Sequence, residues 1–338
     1  MSALQDLVSD APAVAAVPRQ NIALGRLAAI VVVLLLLGAP LLLTSFIVFQ
    51  ITMVLIYTIA ILGLNILTGG SGQFSLGHSA FYALGAYTSA ILIEHFGVNY
   101  ALTLPLAGVI CFGFGVLFGL PALRLSGVYL ALATFALATA MPQLLKLGIF
   151  ETWTGGVQGL VVTKPDAPFG LPIGQDVWLY YLALGIAMAI YAFAVNLLQS
   201  RSGRALMAIR DNEIAAVAMG VDVALYKTLA FGISAGITGV AGGLSTIAVQ
   251  FVAPDSYTIQ LAIALFLGMV VGGVGWLPGS LVGASFIVFV PNIAEGISKG
   301  LSGAVFGVIL ILIIFLLPHG AQQLATLAQR HIDRLRRK

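Results

Sequence analysis

The chain consists of long apolar blocks separated by short polar segments, and the blocks carry no polar face. The run from Ala304 to Leu317 contains no charged or hydrogen-bonding side chain. A soluble helix would show a polar face, whereas a helix that is apolar all round lies in a large core or in a membrane. A transmembrane barrel strand would alternate apolar and polar residues. The pattern therefore predicts an all-α, polytopic bundle of membrane helices.

Hydropathy divides the chain into about ten spans. A straight helix needs roughly 20 residues to cross the hydrocarbon layer, and the third, eighth and ninth spans are shorter than that. We expect these to be tilted extensions, half-helices or re-entrant segments. The predicted spans are Leu27–Phe46, Phe49–Leu67, Ala80–Ile93, Ala101–Leu120, Val128–Leu145, Val177–Leu198, Leu229–Phe251, Ile259–Val274, Ser280–Ile293 and Leu301–Leu317.

Composition agrees with this pattern. Hydrophobic residues make up 60% of the 338 residues and charged residues 8%, against about 25% charged in a typical soluble domain. The mean hydropathy is +1.08. The one cysteine, Cys111, lies inside an apolar block, so a disulfide framework and a thiolate metal site are excluded. These values indicate a multi-pass protein in a lipid bilayer, and no nucleic-acid partner is expected.

The basic residues predict the orientation. If the spans alternate from a cytoplasmic N-terminus, three basic residues (Lys146, Lys164 and Lys299) face outward and twelve face the cytoplasm. This positive-inside bias places both termini in the cytoplasm. The twelve are Arg19, Arg26, Arg124, Arg201, Arg204, Arg210, Lys227, Arg330, Arg334, Arg336, Arg337 and Lys338.

The same pattern divides the chain into three parts. Residues 1–25 form an N-terminal tail, residues 26–318 a transmembrane domain with a polar loop at 200–227, and residues 319–338 a basic C-terminal tail. Many glycines of the domain lie four apart, as in Gly115 and Gly119, Gly232 and Gly236, and Gly239 and Gly243. Small residues at this spacing let helices touch in a membrane.

Two absences bear on the energy source. No charged residue lies in the middle of a predicted span, although ion-driven pumps usually keep one at membrane depth. No Gly-Lys pair occurs in the chain, so the phosphate-binding P-loop pattern is missing. The chain is predicted to take its energy from another protein.

One glycine cluster has a functional interpretation. Residues 67–78 read LTGGSGQFSLGH, and their glycines would break the helix and free backbone groups. Such groups survive at membrane depth only where protein or a water-filled cavity covers them. A broken helix suits a zwitterionic ligand; an ordinary cytoplasmic turn is the alternative. The candidate pathway residues are Thr68, Gly69, Gly70, Ser71, Gly72, Gln73, Ser75 and His78.

His78 has no carboxylate partner in view, so we interpret it as a hydrogen-bonded interface residue rather than a proton carrier. A phrase similar to the glycine cluster, TGGVQGL from Thr154 to Leu160, lies in the long loop between Lys146 and Asp176. It is either a surface turn or part of the outer mouth of the pathway.

The polar loop at 200–227 predicts a partner-binding element. Residues 203–220 are compatible with one amphipathic helix that ends at Gly220. Such a helix lies on the membrane or enters a groove of a partner, and two acids among its arginines disfavour anionic lipid. The predicted apolar face carries Ala205, Ala208, Ile209, Ala216 and Met219. The polar candidates for partner contact are Arg204, Arg210, Asp211, Asn212 and Glu213, and the charged ones are predicted to point away from that face.

Four motifs, in the same order along the chain, resemble the LivM-type permeases of high-affinity branched-chain amino acid importers. They are LNILTGGSGQFSLGHSAFYALGAYTSAIL (64–92), GVYLALATFALA (127–138), GRALMAIRDNEIAAVAMGVDVALYKTLAFGISAGITGVAGGL (203–244) and GGVGWLPGSLVGA (272–284). The resemblance implies a subunit of the cytoplasmic (inner) membrane that pairs with a homologous LivH-type permease. It also implies two cytoplasmic ATP-binding subunits and a periplasmic or extracellular amino-acid-binding protein. ATP and Mg²⁺ would be bound on the partner ATPases, with no cofactor or metal in this chain.

The resemblance further implies ATPase contacts at Glu213, Ala215, Ala216 and Gly220. The family pattern has Glu followed directly by Ala-Ala, whereas Ile214 intervenes here. The resemblance extends to urea and short-chain amide permeases, so a urea or amide substrate is an alternative.

Two alternatives come from other classes of protein. An ion-coupled secondary transporter is disfavoured by the uncharged interior of the spans. An intramembrane serine protease would use the G-x-S-G pattern of residues 69–72, and it would need a base to activate Ser71.

Overall fold

The computed structural model describes residues 22–123, 125, 127–167, 173–297, 302–318, 320–324 and 326–327. The predicted N-terminal tail up to residue 21 and most of the basic C-terminal tail therefore lie outside the described residues. Within the described part, the protein is an all-α membrane protein with a short antiparallel β-ladder. The helices are α1 (Ile22–Leu42), α2 (Ser45–Asn65), α3 (His78–Glu94), α4 (Tyr100–Ala122), α5 (Val128–Leu145), α6 (Glu151–Thr154), α7 (Gln175–Gln199), α8 (Arg201–Asp211), α9 (Glu213–Ala218), α10 (Val223–Val249), α11 (Ile259–Gly272), α12 (Gly279–Ile297) and α13 (Ser302–Leu316).

The remaining elements are short. A π-helical turn (Ile66–Gly70) follows α2, a 3₁₀ turn (Pro254–Tyr257) precedes α11, and β1 (Leu160–Val161) pairs with β2 (Phe251–Val252). The described residues fall into two units, one that contains α1 and ends at residue 43 and one that contains the elements from residue 44 onward. Helix α1 has 21 residues and Pro40 in its last turn.

Each predicted span coincides with a helix, and seven helical stretches of the described chain are long and apolar enough to cross a membrane. The expected lengths of the eighth and ninth spans need correction. The 3₁₀ turn extends α11 to a stretch of 19 residues, Pro254–Gly272, and α12 supplies 18, Gly279–Gly296. Helix α3 has 17 residues, so it remains a short one.

Helix α10 is the central helix of the second unit and packs against α2, α3 and α4. Glycines allow these contacts. A Cβ at Gly85 on α3 would overlap the backbone of Gly239, and one at Gly115 on α4 would lie 2.9 Å from the Cα of Gly232. The prediction that glycines at this spacing permit close helix packing is confirmed at these positions.

The loop between α5 and α7 folds onto the chain just before the 3₁₀ turn. In its TGGVQGL phrase, Gly155, Gly156 and Gly159 have φ of 70°, 54° and 73°, which glycine adopts at little cost. A Cβ on Gly159 would overlap the Val252 backbone in β2. The phrase is therefore a tightly packed turn that holds the segment leading into α11.

Candidate functional site

Helix α2 continues past Gly69 and Gly70 and ends inside the glycine cluster. Its backbone widens into the π-helical turn Ile66–Gly70, so the prediction that Gly69 and Gly70 break the helix is wrong. The helix breaks at Gly72, which has φ of 72°. Gly69 serves close packing, because a Cβ there would lie 2.6 Å from the Gly275 backbone.

The cluster is buried, unlike an ordinary surface turn. Thr68 Oγ1 donates to the Gln73 carbonyl at 3.0 Å, and Ser71 Oγ donates to the Leu67 carbonyl at 2.7 Å. These bonds close the segment on itself. Its polar side chains are each at most 9% exposed: Thr68, Ser71, Gln73, Ser75 and His78.

His78 lies in a chain of hydrogen bonds between α3, α10 and α2. Ser234 Oγ donates to the Gly63 carbonyl at 2.6 Å. Its only proton is thereby used, so it accepts from His78 Nε2–H, 2.6 Å away. His78 Nδ1 then accepts from the Ser75 hydroxyl at 3.1 Å. Every group is satisfied with a neutral imidazole, which supports the interpretation of His78 as an interface residue.

The surroundings of Ser71 do not provide the chemistry that a serine protease needs. The Ser71 hydroxyl donates to a carbonyl of its own helix, and both ring nitrogens of His78 are bound to serines. A serine nucleophile needs an adjacent base, and His78 is not hydrogen-bonded to Ser71. Among the described residues, no group of three or more His, Cys, Asp or Glu could hold a metal ion.

The polar loop contacts the glycine cluster through Arg210. Its Nη1 donates to the Gly69 carbonyl at 2.7 Å, a contact within the chain that the prediction of a partner-binding residue did not include. The Arg210 Cγ would lie 3.0 Å from a Cβ on Gly72, so a side chain at that position would crowd the arginine.

A second contact joins the same helix end to the turn between α11 and α12. Asn65 Oδ1 accepts from the Gly275 N–H at 2.7 Å, and its Nδ2 donates to the Trp276 carbonyl at 3.3 Å. We call the set Asn65, Gly69, Arg210 and Gly275 the arginine junction. It connects α8, the end of α2 and the turn after α11.

The predicted single helix over 203–220 is two helices, α8 and α9. Asn212 separates them in an extended conformation, with φ of −159°, and its Oδ1 accepts from the Ala215 N–H at 3.0 Å as an N-cap. Gly220, with φ of 81°, follows α9. The Val221 N–H bonds to the Ala216 carbonyl at 3.0 Å, which is a Schellman C-cap. The predicted end at Gly220 is confirmed, and the continuous helix is wrong.

The break between α8 and α9 changes which residues of the predicted apolar face are buried. Of the predicted apolar face, Ile209 and Ala216 are buried within the chain, but Ala208 is exposed and Met219 is 84% exposed. Leu206 is buried in their place. Helix α9 and its C-cap consequently present three exposed large apolar side chains: Ile214, Val217 and Met219.

The other candidate contact residues stay at the surface. The exposed ones are Arg204, Asp211, Asn212, Glu213, Ala215 and Gly220. Glu213 pairs with Lys227 at the start of α10, with Oε2 and Nζ 2.6 Å apart. Helix α9 is thus tied directly to the central helix.

Sequence reasoning passed over Asn65 and Ser234. Each is a polar residue inside an apolar block, where its side chain needs an internal partner. That pattern marks both positions, but their partners, Gly275 and His78, come together only in the fold.

A family model described as "Branched-chain amino acid transport system / permease component" matches residues 46–314. The high-affinity branched-chain amino acid transport system permease protein LivM of Salmonella typhimurium is 36% identical over 248 residues, 66% of this chain and 58% of that protein. LivM of Escherichia coli is 35% identical over the same shares. A probable branched-chain amino acid transport permease, LivH of Methanocaldococcus jannaschii, is 25% identical over 232 residues, 67% of this chain and 72% of its own length. The chain thus spans less than two thirds of the two bacterial LivM proteins, and no solved structure matches it.

Proposed function

Because the chain belongs to the family of branched-chain amino acid transport system permease components, we propose that it is a permease subunit of an ATP-driven importer. It forms part of the translocation path for branched-chain amino acids in the cytoplasmic (inner) membrane, with about ten spans and both termini in the cytoplasm. Its partners are a homologous LivH-type permease, two ATP-binding subunits that carry ATP and Mg²⁺, and a periplasmic or extracellular binding protein.

The observation that carries this proposal is the arginine junction. A loop that only rested on lipid would have no need to place a guanidinium under the end of a membrane helix. A hydrogen bond from a charged donor contributes about 1.5–3 kcal/mol, enough to keep α8 and α2 together when the loop is pushed. Movement of the loop is therefore passed to α2 and to the turn after α11.

Helix α9 supplies the surface to which an ATP-binding subunit binds. Ile214 and Met219 are each 84% exposed, and exposed apolar side chains on a short helix suit a groove of a partner protein. Of the residues that the family resemblance points to, Glu213, Ala215 and Gly220 are exposed and available to the partner. Ala216 is buried, so its contribution lies inside this chain.

Co-purification tests the proposal. The complex is expressed with Ile214→Asp or Met219→Asp, and capture of the ATP-binding subunits and ATP-dependent leucine uptake are measured. Both are expected to fall about tenfold or more, because an Asp carboxylate would be buried unpaired in the partner groove. Val157→Asp is the matched control, since Val157 is an exposed apolar residue (68%) of another loop.

Full capture of the ATP-binding subunits by both variants would contradict the proposed docking surface. Leucine uptake by the purified chain alone, driven by a proton or sodium gradient without ATP, would contradict the proposed class of transporter and favour an ion-coupled carrier.

A further inference from the structure

Four tyrosines from three elements meet at the other end of α11 from the arginine junction. Tyr57 comes from α2, Tyr82 and Tyr87 from α3, and Tyr257 from the 3₁₀ turn. The ring of Tyr82 lies 6.2 Å from that of Tyr57 and 5.9 Å from that of Tyr257, and the Tyr87 and Tyr257 rings are 6.2 Å apart. We call these four residues the tyrosine cluster.

Two hydroxyls of the tyrosine cluster are buried without a hydrogen-bond partner. Tyr82 and Tyr87 are each 2% exposed, and neither hydroxyl has a hydrogen-bond partner of normal geometry among the described residues. The Ser245 side chain on α10 is near the Tyr82 hydroxyl, but the pair does not form a hydrogen bond of normal geometry. A buried tyrosine hydroxyl normally finds a partner, so two orphaned hydroxyls in one cluster indicate a group that the chain itself does not supply.

The cluster offers two kinds of recognition at one place. Phenol hydroxyls donate to a carboxylate in short, charge-assisted bonds, and the faces of tyrosine rings attract an ammonium group. Tyr57 is the half-buried member of the cluster, so it gives access from outside this chain. We propose that the tyrosine cluster is a binding subsite for the charged head group of a zwitterionic amino acid. The Tyr82 and Tyr87 hydroxyls donate to the carboxylate, and the neighbouring rings face the ammonium group.

This inference rests on the proposed function and adds to it a link between the subsite and the ATP-binding subunits. The segment from Tyr57 to Gly69 rises about 18 Å along α2 and its π-helical turn, and α11 joins Tyr257 to Gly275. Both helices therefore run from the tyrosine cluster to the arginine junction. A ligand at one end and an ATP-binding subunit at the other act on the same two elements.

The turn that carries Tyr257 is held in place before any ligand arrives. Lys146 Nζ lies 2.5 Å from Asp255 Oδ1, and the pairing of Val161 with Phe251 fixes the chain just upstream. These contacts position the Tyr257 ring against α3, which lowers the entropy that a ligand must overcome.

Removal of single hydroxyls tests the subsite. Tyr82→Phe and Tyr87→Phe keep the rings and their packing. Each variant is prepared as the full transporter complex, and the KM for radiolabelled L-leucine uptake is measured in liposomes. We expect each KM to rise about tenfold to hundredfold, the loss of one charge-assisted hydrogen bond. The leucine-induced rise in the Tm of the complex should disappear as well. Tyr129→Phe, at a tyrosine that is 71% exposed on α5, should leave both quantities unchanged.

The outcomes separate this inference from the proposed function. If the wild-type complex takes up leucine with ATP while both Phe variants keep its KM and its Tm rise, the subsite is overturned and the proposed function stands. If the wild-type complex takes up urea instead of leucine, the zwitterion assignment is overturned. A wild-type complex that takes up neither solute would overturn the proposed function and the subsite together.

Discussion

Helix α3 has two polar regions that differ in one respect. At its first residue, His78 is bound at both ring nitrogens, to Ser75 and to Ser234. One and two turns later, the Tyr82 and Tyr87 hydroxyls have no partner among the described residues. A fully satisfied buried network specifies one packing arrangement, and an incomplete one costs stability until something completes it. The first region therefore has a structural role, and the second has the properties expected of a binding site.

Both regions depend on the same close contact between α3 and α10. Gly85 lies between Tyr82 and Tyr87 in sequence, and a Cβ there would overlap the backbone of Gly239. Ser234 reaches His78 from α10, and the same helix carries Ser245 beside Tyr82. The two regions can be separated experimentally only by changes that leave this contact intact.

The largest expected effect comes from breaking the contact itself. In Gly85→Val, the new Cβ would overlap the Gly239 carbonyl, and α3 must move away from α10. We expect a loss of about 3 kcal/mol of unfolding free energy, the upper part of the range for overpacking. Denaturation of the purified protein in detergent measures it. Gly113→Val on α4 is the control, because nothing lies within 4 Å of a Cβ there; an equal loss in both variants would refute the role of the contact.

The next effect concerns the link between the α2 end and the polar loop. Arg210→Ala removes the donor to the Gly69 carbonyl, a bond of about 1.5–3 kcal/mol. We expect leucine uptake by the full complex to fall about tenfold or more, while the complex still hydrolyses ATP. The ratio of solute imported to ATP hydrolysed is the measurement. Arg201→Ala is the control, since Arg201 is an exposed arginine at the first residue of the same helix; an unchanged ratio in Arg210→Ala would argue against transmission through the junction.

A smaller effect is expected when one hydrogen bond of the His78 region is removed. Ser234→Ala leaves His78 Nε2–H buried without an acceptor, which costs about 1–3 kcal/mol. Thr88→Ala on α3 removes a hydroxyl that donates to the Leu84 carbonyl of its own helix at 2.7 Å, so its cost should be at most about 0.5 kcal/mol. Unfolding free energies of the two variants in the same detergent give the comparison. Equal values would mean that the bond between α3 and α10 contributes no more than a local one.

The sequence predicts the helices well because each apolar block is too long to be a strand or a turn. The two departures from regular helix are harder to predict. The π-helical turn through Gly69 depends on the distant Gly275 backbone, which takes the space of a Cβ. Asn212 is predicted to lie within one continuous helix, whereas its side chain caps the following helix. Local pattern does not distinguish a polar residue in a helix from one that starts the next.

The tyrosine cluster could not be predicted from the sequence for a different reason. Tyr57, Tyr82 and Tyr87 lie in two apolar blocks, and Tyr257 lies far along the chain. Each on its own is an ordinary aromatic residue of a membrane protein. Only the packing of α2, α3 and the 3₁₀ turn brings the rings within about 6 Å of one another. Only side-chain geometry shows which hydroxyls lack partners.

The smallest expected change in unfolding free energy also tests whether the two polar regions of α3 differ. Tyr82→Phe and Ser234→Ala each delete one buried hydroxyl, but the Tyr82 hydroxyl has no hydrogen bond of normal geometry within the described part of the chain. Without leucine, we therefore expect the unfolding free energy of Tyr82→Phe to stay within about 0.5 kcal/mol of the wild type or to increase, since an unsatisfied polar group is removed. Denaturation in detergent, with Ser234→Ala in parallel, measures the difference. A loss as large as that of Ser234→Ala would mean that the Tyr82 hydroxyl is already bonded within the resting protein, and the contrast between the two regions would vanish.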